Sequence, residues 1–196
     1  KGIRTATDKL NIDVFLFLSF AAFAQSEERN QGEDAIFDLT DYSEFDGVII
    51  FSGMLNSQKT PERIAKVIVK NNIPGVSVGW PLEVLDFVGI DNFKGMFEMV
   101  DHLVKVHHVK NPVFLAGSAD HPDSNERIDA TRQALALNGI ELKQDRISYT
   151  DWEYLTAMEK TVQYVQSDNP PDAIICANDH NAIAACIALK RLGYSV

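Results

Sequence analysis

Basic residues, cysteines and long apolar runs are all scarce in this chain, and each shortage closes off a class of function. Lys and Arg number 18 against 28 Asp and Glu, a net charge of −10 over 196 residues. The basic residues are scattered, with no basic helix and no basic-aromatic stripe, so the chain is a poor partner for a phosphate backbone. Any DNA contact would have to come from a module outside it. The two cysteines, Cys176 and Cys186, have neither metal-ligand spacing nor the pattern of a disulfide framework. They read as reduced core thiols, one on a buried strand and one on the apolar face of a helix. His102, His107 and His108 fall near a helix end, where the dipole favours cations, with no acidic or thiol partner at ligand spacing. No metal site and no cofactor is expected.

Catalytic signatures are missing as well. There is no Gly-x-Ser-x-Gly elbow, no Walker loop and no Gly-x-Gly-x-x-Gly fingerprint. Asp91, Asp120, Asp123, Asp179 and His121 supply carboxylates and an imidazole, yet no Ser, Thr or Cys stands out as a nucleophile for them to activate. No catalytic residue is assigned, and Asp91 reads instead as a helix cap. The longest apolar run, Val14 to Ala24, is too short to span a bilayer. With Ala22-Phe-Ala24 at its end it imitates a signal peptide, but Asp8 and Asp13 interrupt the basic flank. It reads better as a helix ending at Leu10 and a buried strand over Ile12–Leu18.

What is present is an alternation. Apolar runs recur at Gly47–Phe51, Gly75–Gly79, Pro112–Ala116, Arg146–Tyr149 and Ala173–Ala177, with a shorter one at Phe87–Gly89. Between them lie helical patterns. Thr60-Pro-Glu-Arg is a helix start with Thr60 as cap and Pro61 in the first turn, and Ile64, Val67 and Ile68 form its inner face. Met96, Met99, Val100 and Leu103 mark a second helix. Ile128 and Leu135 mark a third that stops at Asn138-Gly139, and Leu155, Met158, Val162 and Val165 a fourth. The most informative stretch is Asp172-Ala-Ile-Ile-Cys-Ala-Asn-Asp179. A buried strand there stops at Asn178-Asp179 and opens a helix with Ala182, Cys186, Leu189 and Leu192 on one stripe, closed by Gly193. Strands alternating with helices give parallel sheets with helices on both faces. The expected fold class is α/β, as two doubly wound lobes. Polar groups at the strand ends then point into the crevice where such sheets bind ligands.

Five segments in order, Ile90-Asp-Asn-Phe-Lys-Gly-Met96, His102-Leu103, Asn125-Glu-Arg-Ile-Asp-Ala-Thr-Arg-Gln-Ala-Leu135, Tyr149-Thr-Asp-Trp-Glu153 and Asp172-Ala-Ile-Ile-Cys-Ala-Asn-Asp-His-Asn-Ala182, resemble the ligand-binding region of the LacI/GalR family, within the periplasmic-binding-protein type I superfamily. The resemblance runs from about Lys1 to Val196. It implies an N-terminal lobe over 1–89, lacking its first strand, and a C-terminal lobe over 90–196, lacking later segments, so that the chain is clipped at both ends. It also implies a ligand cleft between lobes, with Arg127, Trp152 and Asn178 as ligand-contacting residues. Without it, Arg127 would read as a surface ion-pair residue and Trp152 as half-buried core. The chain departs from many sugar repressors by having Gly79-Trp80 where they place an acidic residue, which loses a hydroxyl-binding carboxylate and adds an aromatic. Trp80 and Ser52 complete the expected ligand set.

A narrower resemblance, carried by Glu28-Arg-Asn-Gln31, Ala35-Ile-Phe-Asp-Leu39 and Phe45-Asp-Gly-Val-Ile-Ile-Phe-Ser-Gly53, is to sensory versions fused to diguanylate cyclase (GGDEF) or histidine kinase modules. The leading expectation is therefore a sensory domain that binds a sugar-like or other ring-bearing metabolite and signals to such a module. The alternatives are the effector domain of a LacI-type transcription regulator and an extracytoplasmic solute-binding protein. The implied partners are a small-molecule effector and a second copy in a homodimer, with no nucleic-acid contact by these residues and no membrane. The implied compartment is the cytoplasm, with the periplasm as alternative.

Overall fold

In a computed structural model describing residues 2–19, 27–55 and 59–195, the alternation resolves into two three-stranded parallel sheets in an α/β fold. The chain divides into two units, Lys1–Ile90 and Asp91–Val196. In the first, helices α1 (Gly2–Leu10) and α2 (Glu27–Asp34) precede β1 (Val48–Ile50), α3 (Lys59–Lys70), β2 (Gly75–Val78) and β3 (Asp86–Val88). The sheet order is β1-β2-β3, with Val48 opposite Gly75 and Val76 opposite Asp86. In the second, α4 (Asn92–His107), β4 (Pro112–Ala116), α5 (Pro122–Leu137), β5 (Ile147–Tyr149), α6 (Tyr154–Val165), β6 (Ala173–Cys176) and α7 (Asp179–Arg191) follow in turn. Here the order is β5-β4-β6, with β4 central.

Every residue of β4 is buried, as a central parallel strand between two helical layers requires. Its alternate side chains feed two cores. Phe114 and Ala116 join Val100 of α4, Ile128 and Leu135 of α5, Ile147 and Ile175. Leu115 meets Ala157 of α6 and Ala184 and Ala185 of α7 on the opposite face. The unit is doubly wound.

The first unit has one packed face. Ile64, Ala65 and Ile68 of α3 meet Ile50, with Phe37, Ile73 and Leu82 at the margins. On the other side Ile49, Phe51 and Val88 stay 39–58% exposed. Val67, expected on the inner face of α3, is exposed, because the helix is rolled so that Ala65 takes its place. The outer edge of α3 gathers Lys59, Arg63, Lys66 and Lys70 along one shallow groove, where the sequence reads as scattered charge.

Several expectations are corrected. Ile12–Leu18 is not a strand. These residues are irregular and Val14, Phe15, Leu16 and Leu18 are more than half exposed. Apolar composition does not make a strand without a ladder to join, and among the described residues the sheet ends at β1. Phe15 and Phe17 instead set their edges on Phe45, at 5.5 and 5.8 Å. The Ala22-Phe-Ala24 segment lies outside the described residues. Thr60 lies inside α3, and its hydroxyl donates to Asp34 Oδ2 at 2.9 Å. Met99 and Leu155 are exposed. The buried stripe of α7 is Asn181, Ala184, Ala185 and Ala188, offset from the expected Ala182, Cys186, Leu189 and Leu192. Small side chains let α7 approach the sheet closely, and close approach decides burial more than side-chain bulk. Cys176 and Cys186 are free and part-buried, and burial pushes the Cys176 thiol up to about 12.

Candidate functional site

All three strands of the second unit run the same way, so β4, β5 and β6 deliver Gly117-Ser118, Thr150-Asp151-Trp152 and Ala177-Asn178 to one edge. The N-termini of α5, α6 and α7 open at that edge. Asn178 is the N-cap of α7, its Oδ1 accepting from Asn181 N at 2.9 Å, so the cap is Asn178 and not Asp179. Capping engages only the carbonyl half of that side chain and leaves the two donors of its amide. Asp91 caps α4 through Lys94 N at 2.8 Å.

Arg127, one and a half turns into α5, is held from two sides. Its Nε and Nη2 donate to Asn92 Oδ1 at 2.9 and 2.6 Å, and its Nη1 donates to the Ala177 carbonyl. Asp123 lies 3.8 Å away one turn earlier. These hydrogen bonds use three of the five guanidinium donors, and the side chain is 18% exposed. The result is a cation fixed beside the end of β6.

Trp152 and the residue before it, Asp151, both have left-handed backbones, φ 63° and 49°. Aspartate tolerates that region better than most residues, whereas the bulky tryptophan does not favour it. The turn is pinned by Ser118 Oγ donating to Asp151 Oδ1 at 2.8 Å and by Thr150 N on the Ala116 carbonyl at 3.1 Å. The indole lies so close over Gly117 that a Cβ there would come within 2.1 Å of the ring. His121 packs its ring against Trp152 at 5.1 Å and 78°. Burial, more than any charge, pulls the His121 imidazole below its ordinary value, opposed by Asp123 and Asp120 and seconded by Arg127.

Beneath this edge, Asn181 is fully buried. Its Nδ2 donates to Thr150 Oγ1 at 2.9 Å and reaches the Leu115 and Ala116 carbonyls at 3.3 Å. The ends of β4 and β5 are thus tied by one amide.

Arg127, Trp152 and Asn178 therefore share one sheet edge, whereas Ser52 and Trp80 belong to the first unit. Ser52 is buried with its hydroxyl engaged internally. It contacts Ser77 Oγ at 2.8 Å and the Trp80 carbonyl at 2.8 Å, and accepts from Trp80 N at 2.8 Å. Gly79, at φ 102°, is pressed on Gly53 so that a Cβ would sit 2.9 Å from Gly53 N. Ser52 shapes the loop that carries the half-buried Trp80. Sequence reasoning missed Asn92, Gly117, Ser118, Asn181 and the packing of His121 on Trp152. The Asp120-His121-Pro122 run announced a turn into a helix, but nothing in it announced a ring contact across the sheet edge.

A family model described as periplasmic binding protein domain matches residues 1–196. The HTH-type transcriptional regulator CelR of Thermobifida fusca is 26% identical over 151 residues, 77% of this chain and 44% of that protein. The HTH-type transcriptional repressor CytR of Escherichia coli K12 is 26% identical over 171 residues, 86% and 48% respectively. The chain thus spans under half the length of these two relatives. Among solved structures, a periplasmic solute-binding protein of an ABC transporter from Actinobacillus succinogenes, with bound D-allose, superposes with a TM-score of 0.79. It is 19% identical, over 98% of this chain and 67% of that one.

Proposed function

We propose, from the premise that this chain belongs to the periplasmic binding protein domain family, that it is the effector-binding domain of a LacI-type transcription regulator. The relatives named as HTH-type regulators favour this reading, which the sequence ranked second, over a cyclase or kinase parent. The observation that carries the ligand site is Arg127. It is a guanidinium anchored by Asn92 and the Ala177 carbonyl with donors to spare, beside Trp152 and Asn178. A side chain already fixed loses little freedom when a ligand arrives, so its hydrogen bonds count nearly in full. Trp152 offers a flat face for a ring, and Asn178 an amide for hydroxyls. The ligand class is a hydroxylated, ring-bearing metabolite, bound without chemistry. The same reading puts the protein in the cytoplasm as a homodimer, with nucleic acid contacted by another part of the polypeptide.

A thermal-shift screen of sugars, nucleosides and amino acids tests this, with product analysis of each hit. Ligand at about 100 times its Kd adds about 2.7 kcal/mol of stability. Binding without turnover, lost in Arg127→Ala, is expected; turnover, or affinity unchanged in that variant, refutes the reading. A solute-binding protein is the second reading, supported by the likeness to the D-allose complex. The complete coding sequence separates the two, by a DNA-binding headpiece or an export signal.

A further inference from the structure

Two consecutive residues with left-handed backbones, Asp151 and Trp152, stay so only when their surroundings over-determine them. Glu153 N closes the turn itself on the Thr150 carbonyl at 2.8 Å, and the side-chain restraints around it are few and nameable. Ser118 holds Asp151 through its hydroxyl at 2.8 Å. Gly117 leaves the space that the indole fills. His121 N bonds the Ser118 carbonyl at 3.3 Å, closing a turn that returns the imidazole onto the indole at 5.1 Å. Of the side chains in these contacts, histidine is the one whose ordinary titration range falls between pH 5 and 8.

We infer that His121 is a positioning residue for Trp152, seating the indole over Gly117 while the imidazole is uncharged and releasing it on protonation. Protonation puts a cation into a half-buried slot. On its own loop and helix Asp120 and Asp123 favour that cation and Arg127 opposes it. From the β5–α6 loop the facing group is the indole of Trp152, with Asp151 engaged by Ser118. Burial decides the balance against the charge, holding the group below the ordinary histidine value. The charged ring then moves towards Asp120 and Asp123, and the strained turn loses one of its restraints. The consequence for binding rests on the ligand site proposed above; the movement of Trp152 does not.

Fluorescence of the full chain carrying Trp80→Phe, where Trp152 is the one remaining indole, follows the event without a ligand. Its emission is expected to shift to the red in a single step whose midpoint lies below about pH 6.5. His121→Phe keeps the ring contact and abolishes the step, while His121→Ala gives the red-shifted emission at every pH. If Trp80→Phe fails to fold, wild type minus Trp152→Phe isolates the same signal. A step that survives in His121→Phe, or emission constant from pH 8 to 5 in the parent, overturns the inference. Either result leaves the ligand screen to be judged by itself.

Discussion

Arg127 and Arg146 are the same residue type put to opposite uses at opposite edges of one sheet. Arg146, 9% exposed, donates from Nε to the Pro112 carbonyl at 3.3 Å, from Nη1 to Asn169 O at 2.9 Å and from Nη2 to Asn111 O at 2.9 Å, with its guanidinium 5.8 Å from the Tyr164 ring. It closes off backbone carbonyls at the amino edge. Each buried polar group left unpaired costs about 1–3 kcal/mol. Arg146→Met should therefore lower stability by roughly 2–4 kcal/mol, read as a reduced urea midpoint at unchanged slope. Arg127→Ala unpairs Asn92 Oδ1 and the Ala177 carbonyl, and should cost less stability than Arg146→Met while weakening ligand binding by roughly 1–3 kcal/mol in calorimetry. If the two variants exchange these outcomes, the assignment of edges is wrong. Arg127 was legible because its neighbours Asn125 to Leu135 carry a family pattern. Arg146 was not: its partners are carbonyls 23 to 35 residues away, which imprint nothing on the sequence around it.

Among the elements, the strands were read within a residue or two, because a buried parallel strand is a short apolar run bounded by turns. Helix faces were read less well. The outcome at α7 turns on Asn181, a polar residue on the buried stripe that ties β4 to the β5 end through Thr150. A pattern search for apolar residues passes over it, while Leu192, which the search selects, is exposed beyond the helix end. Three substitutions separate the readings. Ala185→Leu forces bulk between α7 and the sheet and should cost about 1–3 kcal/mol. Leu189→Ala, on the expected stripe but only half-buried, should cost less. Asn181→Leu removes the amide that satisfies strand-end carbonyls and is expected to cost more than Leu189→Ala in the same denaturation series. A larger loss at Leu189 would restore the stripe read from the sequence. The Ile12–Leu18 run failed for a related reason: period and composition do not report whether a neighbouring strand is there to pair with.

Across the whole chain, the charge of −10 predicts that these residues give no salt-sensitive shift of duplex DNA in a mobility assay, despite the basic edge of α3. Acid should act in two stages. His121 is depressed, so the unfolded chain takes up its proton first. The stability this group supplies is whole above about pH 6.5 and is lost as pH falls through the lower folded value. Asp101, held down chiefly by its hydrogen bond from Lys105, and Asp41, by those from Ser43, give way next, below the ordinary carboxylate range of about pH 4. Melting temperature against pH should show both steps, and His121→Phe should delete the upper one alone. The exposed apolar run of Val14 to Leu18, with Ile49, Phe51 and Val88 on the uncovered side of the first sheet and Phe87 exposed on β3, makes a further demand in the test tube. Greasy surface on a strongly anionic body is a colloid that like-charge repulsion keeps dispersed. Added salt shortens that repulsion to about 8 Å at 0.15 M while leaving the adhesion intact. The purified chain should therefore bind a hydrophobic dye before any heating, and its light scattering should climb with ionic strength and with protein concentration.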